Sequence, residues 1–258
     1  MHFALLCWSH TDPGTPTFHD SRGPSRAGSH RPTFAGLFRL LLALMATAAG
    51  VLLPWPSQAA GGHHGIDDAA LLEPGQCQLE TWIEQGRQRQ LQHLGPACHW
   101  LGLEWGLNLD RYAPRGNPVV RSAGLQLKWA QALRPGLSWG IVWAANWQSG
   151  SPRFAGQSLL LPLSWTPRED LALHLNAGRD FNRGEPDRPR YGLALEWQPS
   201  ARWQGLVEQW HDGQQTRRRV GLRHLIDASL SVDLSRAQAL GATHDAWWSL
   251  GLNWVFAR

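Results

Sequence analysis

The chain has 258 residues, of which 17% are charged, and carries a formal net charge of +4. Its mean hydropathy of −0.34 excludes a bundle of membrane helices. Its cations are almost all arginines, with Lys128 the sole lysine, and no basic stripe forms a nucleic-acid face.

In chain order, the first element is a leader. Leu40 to Leu53 is apolar, preceded by Arg26, Arg31 and Arg39 and followed by Pro54, Pro56 and Ser57-Gln58-Ala59-Ala60. A basic flank, a short apolar core and a small-residue exit define a secretory signal peptide. The run also falls short of the roughly 20 residues that span a bilayer as a helix. Residues 1–60 are therefore set aside as signal peptide, with an over-long start rich in Pro, Gly, Ser and His. Residues 61–75 are expected to form a short periplasmic segment before a barrel over 76–258. His63-His64 has no further donors at metal spacing, so neither a metal nor a cofactor is expected. Export leaves two cysteines, Cys77 and Cys98. A hairpin turning near Arg87-Gln88 would set them opposite one another in an oxidising compartment, although the sequence leaves their facing open.

From Gln76 onward the chain alternates. Leu101, Leu103, Trp105, Leu107 and Leu109 are interleaved with Gly102, Glu104, Gly106 and Asn108. The same period of two runs through Leu125–Trp129, Leu137–Gln148, Leu159–Trp165, Leu171–Asn176, Tyr191–Trp197, Leu230–Leu234 and Trp248–Phe256. Period two means strands with one apolar and one polar face. A soluble sandwich alternates too, but its strands are about five or six residues long, whereas these approach the ten or so that cross a bilayer at a tilt. The connections also alternate in length. Arg134–Gly136, Thr166–Asp170, Gln198–Arg202 and Ile226–Ala228 are short; Arg111–Pro118, Gln148–Phe154, Asp180–Arg190, His211–Thr216 and Ala237–Asp245 are longer. Short periplasmic turns and longer outer loops build a closed antiparallel transmembrane β-barrel, here of about 12 strands. The turn near Trp100 is the one left open.

Trp occurs 16 times, against 2 Tyr and 7 Phe. Trp129, Trp139, Trp165, Trp197, Trp203 and Trp254 fall near one set of strand ends; Trp147, Trp210, Trp247 and Trp248 fall near the other. Two aromatic girdles at headgroup level are expected. The face opposite the apolar ladder carries Glu80, Glu104, Gln126, Lys128, Asn146, His174, Asn176, Glu196, Arg219, Arg223 and Asp233, which are candidates to line the lumen. They form either a solute pathway or a set of mutually paired charges. The run Arg217-Arg218-Arg219 suits either anion attraction at the outer rim or a solvated strand end, and the second is favoured. Ser164 lies one strand from His174, but no nucleophile elbow accompanies it, and catalysis is not expected.

The stretch from Gly65 to Glu80 resembles the start of the outer-membrane family known as the MetA-pathway of phenol degradation transporters. The matching residues are Asp67, Asp68, Gly75, Gln78, Leu79 and Glu80. The resemblance implies an outer-membrane channel or uptake barrel for small, hydrophobic or aromatic solutes. Its partners would be outer-membrane lipid, the barrel-assembly machinery and that solute. Phe256 would be the assembly signal, departing from the usual pattern because Ala257 and Arg258 follow it. The alternatives are a closed structural barrel presenting its outer loops, or a lipid-processing enzyme. All these readings require detergent to keep the purified mature chain in solution; a monodisperse protein in plain buffer on gel filtration would overturn them.

Overall fold

The computed structural model describes residues 64–241 and 245–258. The leader expected over residues 1–60, and His63, fall outside that range. Twelve strands follow in chain order: β1 (Gln76–Gly86), β2 (Arg89–Trp100), β3 (Leu103–Pro114), β4 (Val120–Arg134), β5 (Leu137–Gln148) and β6 (Phe154–Arg168), then β7 (Leu171–Asn182), β8 (Arg188–Ser200), β9 (Trp203–His211), β10 (Thr216–Leu225), β11 (Leu230–Leu240) and β12 (Ala246–Ala257). Each pairs antiparallel with its sequence neighbours, and β1 closes on β12, from Gln76 opposite Ala257 to Gly86 opposite Trp247. The expected closed barrel of 12 strands is the observed fold.

Alternation sorts the two faces. On β12, Trp247, Ser249 and Asn253 are buried inward, while Trp248, Leu250, Leu252 and Trp254 are exposed outward. On β1, Trp82 and Glu84 point in and Ile83 points out. Two ladders open at a proline, which has no N–H to give. On β2 the pairing with β3 skips from Leu94 to Ala97 across Pro96; on β6 the pairing with β5 skips between Leu160 and Leu163 across Pro162.

Both ends of the barrel wall lie at one rim, here the proximal rim. Its connections are tight: Leu101-Gly102, Pro135-Gly136, Glu169-Asp170, Ala201-Arg202 and Ile226–Ser229. The first resolves the turn near Trp100: Leu101 and Gly102 both take positive φ, 54° and 75°, the conformation of a two-residue hairpin matched to strand twist. In the last, Asp227 Oδ1 accepts from the Ser229 N–H, the Ser229 hydroxyl and the Leu230 N–H, which holds its carboxyl below the usual carboxylate range. The distal connections are shorter than the sequence implied. Strands run further into them, leaving only 115–119, 149–153, 183–187, 212–215 and 241–245, with just Arg87-Gln88 between β1 and β2.

The girdles need one correction. Trp129, Trp139, Trp165, Trp197, Trp203 and Trp254 ring the proximal rim on the outward face, and Trp147 and Trp248 do so distally. Trp210 and Trp247, expected in the distal girdle, instead point into the barrel and are 3% and 0% exposed. Period two requires this, because Trp247 and Trp248 are adjacent and cannot share a face.

Cys77 and Cys98 occupy directly opposed positions on the outward face of β1 and β2 and form a disulfide, with an S–S distance of 2.06 Å. The bridge closes a loop of sequence separation 21. Replacing both cysteines by serine should leave the barrel intact, as judged by heat-modifiable migration. It should lower the unfolding free energy by about 3 kcal/mol in urea titrations of the folded protein in detergent.

Candidate functional site

The expectation of a periplasmic segment over 61–75 is overturned for its described part. Residues 64–75 enter the barrel at the proximal rim and thread up the lumen, because this stretch carries apolar and acidic side chains that the interior receives. Ile66, Ala69 and Leu72 recur every third residue and are buried. Ile66 seats in an apolar cup of Ala194, Leu206, Trp210, Ala237 and Trp247. The fit is close on both sides: a Cβ on Gly65 would lie 2.8 Å from the Trp210 ring, and one on Gly192 would lie 2.5 Å from Ile66 Cδ1.

The segment forms no strand, so its backbone groups need partners elsewhere, and wall side chains supply them. Gly65 N–H donates to both Glu208 carboxylate oxygens at 2.9 Å, and Ile66 N–H to Oε2 at 3.1 Å. Asn176 clamps Asp67 twice, accepting from its N–H at 2.8 Å and donating to its carbonyl at 2.7 Å. Ala69 N–H donates to Ser164 Oγ at 2.7 Å, Leu72 N–H to Glu104 at 3.1 Å, and His99 Nδ1 donates to the Leu72 carbonyl. Lys128 Nζ donates to Asp68 Oδ1 at 2.6 Å, with both side chains buried.

Glu80, Glu104, Gln126, Lys128, His174, Asn176, Glu196, Arg219, Arg223 and Asp233 all lie at inward positions of their strands. Of these, Glu104, Lys128 and Asn176 hold the segment. Others pair with each other: Arg223 with Asp233 at 2.6 Å, and Gln204 Nε2 with Glu196 at 2.7 Å. In the distal half a second cluster forms around Arg219, an expected lumen residue, with members the alternation pattern had not singled out. Glu84 joins Arg89 and, at 3.5 Å, Arg219; Arg219 reaches Glu208 at 2.9 Å; Arg217 meets Asp212. Arg217 and Arg219 are thus paired and buried rather than a solvated strand end, and only Arg218 of that run points outward. Trp247 lies 4.2 Å from the Arg89 guanidinium, and Trp210 lies 5.1 Å from that of Arg219. Parity was the signal available for these: Glu84 shares its face with Glu80, and Glu208 with Trp210. Beside His64 a cavity of about 10 Å³ remains, bounded by Gln204, Arg223, Asp233 and Ser235, with room for about one water.

Ser164 Oγ and His174 Nδ1 lie 2.7 Å apart, and His174 Nε2 lies 3.8 Å from Glu196. The three residue types match a hydrolytic triad, but Ser164 Oγ is occupied by the Ala69 N–H and the group is buried under the threaded segment. Here the arrangement ties segment to wall.

A closed barrel of 12 strands, apolar outside, polar inside and threaded by its own N-terminal segment, is of the outer-membrane porin and channel fold. The chain belongs to the family described as uncharacterised conserved protein UCP029691, whose model matches residues 48–256. No curated protein matches the sequence. Among solved structures, the KdgM porin in complex with disordered oligogalacturonate is similar at a TM-score of 0.57 and 11% identity, covering 69% of this chain and 99% of that one. The NanC porin gives 0.54 at 10% identity, covering 70% and 99%. The COG4313 outer membrane channel from Pseudomonas putida F1 gives 0.53 at 13% identity, covering 73% and 98%.

Removing one member of a buried ion pair strands the other in low dielectric, at a cost of about 3 to 5 kcal/mol, whereas removing both costs far less. Lys128→Met should therefore destabilise the barrel by about 3 kcal/mol or expel the segment, and Asp68→Asn in the same chain should restore most of the loss. A double-mutant cycle on urea midpoints checks this; strictly additive effects would show that the pair does not hold the segment.

Proposed function

We propose that the chain is an outer-membrane channel for small solutes, with its lumen closed by residues 64–75 in the conformation described. The observation that carries this reading is how the segment is held. A segment belonging to the wall would pair its backbone with strand backbone. This one is held by the side chains of Glu208, Asn176, Ser164, Glu104 and Lys128. Its departure breaks no strand ladder and leaves a polar track that water can enter.

The buried rings of Trp82, Trp210 and Trp247 in the distal half favour solutes with an aromatic or apolar face. That agrees with the resemblance of the Asp67-Asp68 stretch to the MetA-pathway transporters. The rim tryptophans seat the barrel in outer-membrane lipid, and Phe256 near the end of β12 serves as the signal to the assembly machinery. The ion-paired cluster around Arg219 favours a second reading, a closed structural barrel. The distal connections, none longer than 115–119, give that barrel little to present.

Single-channel conductance in a planar bilayer separates the two. The chain beginning at Gly61 should give small or rare openings. A variant lacking 61–72 should give discrete steps several-fold larger. A correctly folded, heat-modifiable deletion variant that stays silent would hand the case to the structural barrel.

A further inference from the structure

On the outward face of β3 and β4, Arg111 stands directly opposite Arg121. Like charges so placed repel, and neither arginine has an ion-pair partner among the described residues. Arg87, Arg115 and Arg153 stand exposed in the distal connections on either side. The two acids in the distal half of this sector, Glu84 and Asp110, point inward and are engaged by Arg89 and His93. Across the barrel, the rim arginines Arg179 and Arg188 each meet a carboxylate, Asp187 and Glu185.

We propose that this distal rim over β3–β6 binds the phosphate groups of a phosphorylated glycolipid in the surrounding leaflet. The proposal rests on the outer-membrane placement above but not on the lumen being a channel. Their backbones stand one strand spacing apart, about 5 Å, so the two long side chains can both reach one phosphate and share its several oxygens. The Arg121 backbone is fixed by one neighbour, Ser149: its N–H donates to Ser149 Oγ at 3.0 Å and its carbonyl accepts from Ser149 N–H at 2.8 Å.

The neighbourhood calls for an amphiphile rather than a free anion. Below the arginines the outward face continues as exposed Leu107, Leu109 and Leu125, a surface for acyl chains. Trp147 on β5 and Phe154 on β6 pack at 5.6 Å between ring centroids beside Ala123, two residues along β4 from Arg121. Such rings settle at headgroup height, which puts the guanidiniums level with lipid phosphates.

The test titrates the folded protein, in dodecyl maltoside micelles, with bis-phosphorylated lipid A, its dephosphorylated form and phosphatidylglycerol, and counts bound lipid by native mass spectrometry. Bis-phosphorylated lipid A should bind at least about tenfold more tightly than either of the others. Arg111→Gln with Arg121→Gln should weaken its binding roughly tenfold to thirtyfold, about the effect of two arginines at an anionic surface. Arg202→Gln at the proximal rim should change nothing. Equal binding of the dephosphorylated form or of phosphatidylglycerol would overturn the proposal, as would an unaffected double variant. Should that variant fail to fold, the comparison of the three lipids on the unaltered protein decides alone. A silent deletion variant in the conductance experiment leaves this binding untouched, so the two readings fail separately.

Discussion

Hydrocarbon offers a backbone amide no hydrogen-bond partner, and each N–H or C=O left unpaired there costs several kcal/mol. Everything else in this molecule follows from meeting that condition with strands. Twelve antiparallel ladders satisfy the wall, and the pairing of Gln76–Gly86 with Trp247–Ala257 removes the last edge. Once the wall is closed, period two divides every strand between lipid and lumen. The apolar half faces outward at no cost, and the polar half converges on a narrow interior.

Convergence creates a second condition. Charges brought together in a low-dielectric interior need partners. The distal half meets it mainly from the wall, with Glu84, Glu208 and Asp212 set against Arg89, Arg217 and Arg219, while Glu208 also takes the Gly65 and Ile66 N–H groups of the segment. The proximal half recruits the N-terminal segment. Asp68 is the partner of Lys128, while the segment's N–H groups occupy Glu104, Ser164 and Asn176. Segment and wall are therefore complementary halves of one polar network. That network could part without breaking a ladder.

Likeness to porins of known structure at 10–13% identity establishes architecture and goes no further. What belongs to this chain lies on its two faces. Inside is the match between an extended peptide and the side chains that receive it. Outside is the distal rim over β3 and β4, where Arg111 stands opposite Arg121 with no carboxylate set against either among the described residues.

The sequence by itself determined the strand period, the number of strands, the facing of Glu104, Lys128, Asn176 and Asp233, and the turn at Pro135-Gly136. All of these depend on near neighbours along the chain. Parity alone also sends Trp247 to the interior once Trp248 faces outward. Only the tertiary structure decided where residues 64–75 go. The segment has no period of two, and the contacts that hold it in the lumen reach Glu104, Ser164, Asn176 and Glu208, which come together only when the barrel closes. The opposition of Arg111 and Arg121 is likewise a matter of register, set by where β3 turns into β4. Composition and alternation describe a face, whereas the partners across it are fixed by closure.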